Sequence, residues 1–340
     1  MKKYIRWVVI AIAIPIVLFL ILVVLLYCPP VQNWAVKRVA SYASQKMGME
    51  ITVDRVRLVF PLDLGVEGVR VLQANDSIAG QTDTIANVGK IVAKVQLMPL
   101  LSNKVEVDEL SLHDVRMNTA NLVHEARIKG KVGLLLVQSR GVDLNSKTIR
   151  VNQAQLKDAN ISVELSDTVP PDTTKAPVYW KIKVDKLQIE HSKALLRTPR
   201  DSMAVLVDLP KLDAKNGYFD LYKNLYRLET LNWQNGSLNY DQTYKPRTDG
   251  LDPNHIHLTE LNLGIDSFYF CQPELKMKLR VCAFKEKSGV RVNHLSSHVA
   301  LDSTRIALPN LELRTPESSL TAKFNMDMNA FDEVNPGKLY

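Results

Sequence analysis

Val107-Asp108-Glu109-Leu110-Ser111-Leu112 carries the main clue to the fold. It reads apolar, two polar, apolar, one residue, apolar. In a regular strand residues three apart point to opposite faces, so Val107 and Leu110 would be split between core and solvent. One extra residue at the polar pair, as in a β-bulge or tight bend, returns both to one face. The spacing therefore predicts two short strand pieces joined by a kink, with Val107, Leu110 and Leu112 on a common apolar face.

The same pattern recurs upstream at Val53, Val56 and Leu58, and downstream at Val151, Ala154 and Leu156 and at Val184, Leu187 and Ile189. Later copies run through Leu209, Leu212 and Ala214, then Leu228, Leu231 and Trp233, then Leu258, Leu261 and Leu263, and finally Leu308, Leu311 and Leu313. Two copies continue past a second polar pair, His113-Asp114 before Val115 and Lys157-Asp158 before Ala159. The copies are unevenly spaced, which argues against a β-helix or propeller of fixed period. Uneven spacing suits antiparallel strands joined by loops of variable length. Two such loops are Ser166 to Pro177 and Gln242 to Asn254, both rich in turn-forming residues. The expectation for 50–340 is a mainly β domain, a curled antiparallel sheet that keeps one apolar face.

Working toward the N-terminus, the pattern changes period. Val31, Trp34, Ala35, Val39, Tyr42, Ala43 and Met47 recur at three and four, which predicts an amphipathic helix over 31–48, with Gly48 as its stop. Before it, Trp7 to Tyr27 contains no charged side chain. At ~1.5 Å per residue such a helix spans ~31 Å, about the thickness of a bilayer's hydrocarbon core. Lys2, Lys3 and Arg6 precede it, and flanking positive charge is retained in the cytoplasm. Residues 1–6 are thus expected to be a cytoplasmic tail, 7–27 a single-pass transmembrane anchor, and the bulk of the chain to lie beyond the membrane. A cleaved signal peptide is the alternative, but it requires a shorter apolar run ending in small residues, where this chain has Leu25-Leu26-Tyr27-Cys28-Pro29-Pro30.

Composition narrows the function classes. The formal charge is +7, with 43 basic residues, three of them at the cytoplasmic end. What remains is nearly balanced, and no basic run is interleaved with aromatics, so a nucleic-acid partner is not expected. The three cysteines, Cys28, Cys271 and Cys282, are too few for a disulfide scaffold. If Gln272-Pro273-Glu274 turns a hairpin, Cys271 faces the start of the next strand rather than Cys282. Lys276-Met277-Lys278-Leu279-Arg280-Val281 alternates as an amphipathic strand with a solvated basic face. Tyr218, Phe219, Tyr222, Tyr226 and Trp233 form an aromatic stretch suited to core or rim packing.

No reactive constellation stands out: G-x-S-x-G, Walker A, H-E-x-x-H and G-x-G-x-x-G are all missing. His255 and His257 share a strand face, and His294 and His298 lie four apart, without an evident third ligand. The expectation is a protein that is not an enzyme, with no cofactor and no metal.

The order of parts resembles the AsmA-like family of envelope proteins, and within it the TamB-like branch. The resemblance rests on the basic and apolar anchor, on Pro30-Val31-Gln32-Asn33-Trp34 leading the short helix, and on Ile51-Thr52-Val53-Asp54-Arg55-Val56-Arg57-Leu58. It continues through Leu64-Gly65-Val66-Glu67-Gly68-Val69-Arg70-Val71 and Pro99-Leu100-Leu101-Ser102-Asn103-Lys104-Val105-Glu106-Val107. What it implies is a bacterial inner-membrane protein whose periplasmic domain is an open apolar β-groove of the β-taco kind. That groove would shield phospholipid acyl chains on their way between inner and outer membranes. The alternative it implies is a scaffold for assembly or translocation of outer-membrane proteins with an Omp85-class barrel partner. Such relatives are usually longer, and an end at Asn335-Pro336-Gly337-Lys338-Leu339-Tyr340 resembles a stop in mid-structure. The candidate lining residues are Val53, Val56, Leu58, Val107, Leu110, Leu112, Val151, Leu156, Val184, Leu187, Ile189, Leu228, Leu231 and Trp233. The same side chains could instead fill a closed core.

Overall fold

The computed structural model describes residues 29–59, 63–74, 82–96, 107–119, 126–143, 146–165, 179–199 and 202–327. A helix, α1 (Pro29–Met47), leads into β1 (Glu50–Val59), β2 (Asp63–Ala74), β3 (Thr82–Val95), β4 (Val107–Asn118) and β5 (Ala126–Asp143). Long strands follow: β6 (Thr148–Leu165), β7 (Lys181–Thr198), β8 (Met203–Asp220), β9 (Leu225–Gln242) and β10 (His255–Cys271). The set ends with β11 (Glu274–Glu286), β12 (Arg291–Leu301), β13 (Arg305–Arg314) and β14 (Ser319–Asp327). All belong to one sheet, in chain order from β1 to β14. β1 and β14 do not pair with each other, so the sheet is open. The expected anchor at 7–27 lies outside the described residues, among which no helix is long and apolar enough to cross a membrane.

One pairing departs from the expected antiparallel sheet: β6 and β7 run parallel, Ile149 beside Ile182 and Leu156 beside Ile189. A hairpin turn cannot join parallel neighbours. The chain from Ser166 to Trp180 therefore connects the end of one strand to the start of its neighbour, and residues 166–178 lie outside those described. Loop length alone did not distinguish a hairpin from a return.

The predicted kinks fall into lines that cross the sheet. Register places Asp54, Gly68, Gly89, Asp114, Gly133, Asp158, His191 and Pro210 in one line over β1 to β8. Within it Gly68, Asp114, Asp158 and His191 have φ of 67°, 52°, 52° and 46°, a left-handed conformation costly for most L-residues and eased for Asp by local hydrogen bonding. A second line, six residues away along the strands, passes through Asn152, Asp185, Asn216, Glu229 and Ser267. At β4 it meets a bulge, where Val107 pairs with Val95 and Glu109 with Lys94, leaving Asp108 extra. The first line meets polar pairs at Asp54, Asp114, Asp158 and Pro210 and glycines in β2, β3 and β5; its strands stay in one-to-one register there, so a bend rather than the expected extra residue brings apolar side chains three apart to one face.

That face holds the best-packed cluster. Val88, Val115, Val132 and Ala159 are buried, with Ile91, Leu112, Leu135, Leu156, Met117 and Ile161 packed against them. Among the described residues every extensive contact between strands is between neighbours in the sheet, and only α1 packs elsewhere, on β1. Among the described residues the cluster is therefore buried by its own sheet.

The helix lies against β1. Trp34 and Tyr42 are each 66% exposed, whereas Gln32 and Ala40 are buried. The outer edge of β1 has backbone groups that need partners. Leu58 N–H donates to Gln32 Oε1 at 3.1 Å, Gln32 Nε2 donates to Leu58 O at 3.5 Å, and Ile51 N–H donates to Ser44 Oγ at 2.9 Å. At the far side, β14 has its one neighbour among the described residues in β13.

Candidate functional site

Tracing the register from strand to strand gives an apolar stripe that crosses the whole sheet. It runs Val56, Val66, Ile91, Leu112, Leu135, Leu156, Ile189, Leu212, Trp233, Leu263, Cys282, Leu295, Leu313, Leu320, one residue per strand. Cross-strand neighbours on one face are ~4.5–5.5 Å apart, so the stripe is continuous at side-chain scale. The kinks keep it on one face; without them, each polar pair would send the next apolar residue to the other side.

The candidate lining residues sort into this stripe and the rows beside it. Val56, Leu112, Leu156, Ile189 and Trp233 are on the stripe itself. Leu58, Leu110, Leu187 and Leu231 belong to the adjoining row, which continues through Ile265 and Leu279. Val53 stands on the other flank, in line with Val69, Val88, Val115 and Val132. Val107, Val151, Val184 and Leu228 lie past the second line of kinks, Val151 pairing with Val184 and Leu228 with Phe268. On the stripe itself Val56 and Trp233 are buried, Leu320, on the last strand, is 50% exposed and the other members are half-buried. Leu110, in the adjoining row, is 37% exposed.

Trp233 is the largest member. Its indole Nε1 donates to Asp208 O at 3.2 Å, which satisfies the one polar atom of a ring otherwise suited to apolar surroundings. The ring lies over Gly236, where a Cβ would stand 2.0 Å from Nε1.

The opposite face is a polar ladder. Lys94 pairs with Glu109 at 2.9 Å and Gln138 Nε2 donates to Glu109 at 3.2 Å. Gln153 Nε2 donates to Gln188 Oε1 at 3.0 Å and Gln188 Nε2 to Asp213 Oδ1 at 3.2 Å, while Lys157 pairs with Glu190 at 2.9 Å. The hydrogen bond from Lys94 holds the Glu109 carboxyl below the usual range, and Glu109 in turn raises Lys94. Lys157 does the same to Glu190. Lys276, Lys278 and Arg280 are exposed on this face, with Lys276 bonded to Glu274 and Arg280 facing Asp266 at 3.6 Å.

The aromatic stretch marks one rim. Phe219, Tyr226 and Phe270 stand in register on the apolar side: Phe219 meets Tyr226 edge to face at 6.2 Å between centroids, and Tyr226 stacks on Phe270 at 6.0 Å. Arg227 covers Tyr269 at 5.3 Å. At the opposite rim His255 Nδ1 meets Asp241 and its Nε2 lies 2.9 Å from Lys245 O, so both ring nitrogens are engaged. His294 Nε2 contacts Ser296 Oγ at 3.1 Å. Among the described residues no three His, Cys, Asp or Glu groups converge as a metal site. Cys271 and Cys282 are free thiols; Cys271 pairs with Glu274 across the Gln272–Pro273 turn, and burial raises the Cys282 thiol's pKa.

Sequence reasoning missed Val66, Ile91 and Leu135. Gly133-Leu134-Leu135-Leu136-Val137 is apolar at every position after the glycine, so it gives no alternation to follow. Only pairing assigns Leu135 to the stripe and Leu134 and Leu136 to the other face. Cys282 was read as a thiol rather than as an apolar side chain.

Against known proteins the sequence matches no family model and no curated sequence.

Proposed function

We propose that the apolar face of the sheet is a groove that shields lipid acyl chains, in the manner of the AsmA-like and TamB-like envelope proteins the sequence resembles. The observation that carries this reading is the fourteen-strand apolar stripe with no covering layer among the described residues. An apolar sheet face needs a cover, and a hydrocarbon chain supplies one. Burial of the cluster around Val115 by side chains of its own sheet supports a concave face at the first line of kinks. Transfer would be passive: each shielded methylene saves ~0.8 kcal/mol relative to water, while headgroups ride in solvent. The partners are phospholipid and a bacterial inner membrane, entered through the segment at 7–27, and no catalytic step is required.

The test uses the full-length chain in membranes, with photocrosslinking residues at Leu110 and Leu187 on the apolar face and at Gln188 on the polar face. Phospholipid adducts from the first two and none from the third are expected. Absence of lipid adducts, together with no phospholipid by mass spectrometry of the purified protein, would overturn the reading.

A second reading rests on the bare edge of β14. Leu320 and Phe324 are half exposed there, and among the described residues no strand pairs with its outer side, so a client strand could add to it. That reading is a scaffold for outer-membrane protein assembly beside an Omp85-class barrel. Polypeptide adducts from β14, with no lipid from Leu110, would favour it.

A further inference from the structure

At the rim where β6 and β7 begin and β8 turns into β9, three lysines from separate parts of the chain surround a cavity of about 300 Å³. It is lined by Ser146, Lys147, Tyr179, Lys181, Asp220, Tyr222 and Lys223. Backbone bonds fix the frame: Lys181 N–H donates to Lys147 O at 2.9 Å and Leu221 N–H to Trp180 O at 3.0 Å. Tyr179 and Tyr222 stack at 4.7 Å between centroids, although each ring is about half exposed, and the Lys147 ammonium sits 4.7 Å from the Tyr179 centroid.

What distinguishes this cavity is that three lysines line it together. On the polar face Lys94, Lys157, Lys193 and Lys276 each face a carboxylate within 3.2 Å. Among the described residues Lys147, Lys181 and Lys223 have no such partner. The cavity's single carboxylate, Asp220, is buried, and its Oδ1 accepts the Lys223 backbone N–H at 3.1 Å. Among the described residues, three ammonium groups against one committed carboxylate leave about two positive charges unmatched. An anion between them gains with all three lysines at once, and ammonium groups are point-charge binders of phosphate. The tyrosine hydroxyls add neutral donors.

We propose that this rim cavity binds a phosphate group, held by Lys147, Lys181 and Lys223 and flanked by the Tyr179 and Tyr222 pair. The phosphate could belong to a phospholipid headgroup or be free in solution. The site lies one register position beyond the apolar row Ile182, Phe219, Tyr226 and Phe270, but it does not depend on what that row carries.

The test is calorimetric titration of the full-length chain in non-ionic detergent with inorganic phosphate and with glycerophosphoethanolamine, a soluble phosphodiester. Millimolar or tighter binding of at least one is expected. The K181Q/K223Q pair should weaken it at least about tenfold, K181R/K223R should retain most of it, and K245Q/K287Q on the far rim should leave it unchanged. Tighter binding of the diester identifies a headgroup site, and tighter binding of inorganic phosphate a free-anion site. No binding of either probe by the wild-type chain, or equal binding by K181Q/K223Q, overturns the proposal. Lipid adducts at Leu110 that persist in K181Q/K223Q would leave the groove reading standing whatever the outcome here.

Discussion

A Cβ placed on Gly133 would stand 2.9 Å from the Cβ of Asp158, its neighbour across the strand pair. Asp158 turns left-handed at that point and leans over the glycine. Gly89 stands in the same relation to Asp114, at 3.1 Å. Left-handed aspartate against glycine is thus the local device that builds the first line of kinks. Gly133→Ala should lower stability by about 1–3 kcal/mol through overpacking. Gly65→Ala, where the nearest atom would be 3.6 Å away, should change it by less than about 1 kcal/mol. Chemical denaturation of the two variants checks the difference.

Trp233 offers a second test. Trp233→Ala removes a buried ring and leaves Asp208 O without its donor, at a cost of about 3–5 kcal/mol. Trp233→Phe keeps most of the apolar volume and loses the bond, at about 1 kcal/mol. The ranking is read from thermal midpoints of the two proteins.

Gln32 closes the outer edge of β1 with one amide. Gln32→Ala should expose Leu58 N–H and C=O at a cost of about 1–2 kcal/mol. Amide exchange at Leu58 should accelerate far more than at Leu156 in the sheet interior. Equal acceleration at both would mean that the helix stabilises the sheet globally rather than capping an edge.

The polar ladder predicts a pH response with a definite sign. Glu109 and Glu190 are held below their ordinary range by hydrogen bonds from Lys94 and Lys157. Their contribution is present above the unfolded carboxylate value of about 4.3 and is lost as pH falls through the lowered folded values. Lys94 is raised, so its part persists below the unfolded lysine value of about 10.4 and is lost as pH rises through the folded one. Melting curves of E109Q/E190Q should fall less steeply below pH 4 than those of the wild type.

Much of the fold was legible in polar pairs such as Asp108-Glu109 and Lys157-Asp158, because a kink leaves a spacing of three in an otherwise alternating strand. The stripe was legible wherever such a pair preceded it, as at Leu112, Leu156 and Ile189. It was not legible in β5, where both faces carry leucine, nor was the parallel step between β6 and β7, which depends on the direction of return rather than on composition. The helix was legible from its spacing of three and four, but the bonds from Gln32 and Ser44 to the edge of β1 were not, because polar side chains carry no period. The lysine cavity was invisible because Lys147, Lys181 and Lys223 meet only through the pairing of distant strand ends.

The order of strands in the sheet also bears on how the chain acquires its structure. Each strand pairs with the one made just before it, so no strand waits for a distant partner. Contacts of this kind are local in sequence and favour rapid folding, and a chain emerging N-terminus first could zip up as it appears. The join between β6 and β7 is the exception, since β7 must travel back before it can pair. Pulse-labelled hydrogen exchange during refolding should therefore protect β1 to β6 and β7 to β14 as two separate waves, with the Leu156 and Ile189 strands meeting last.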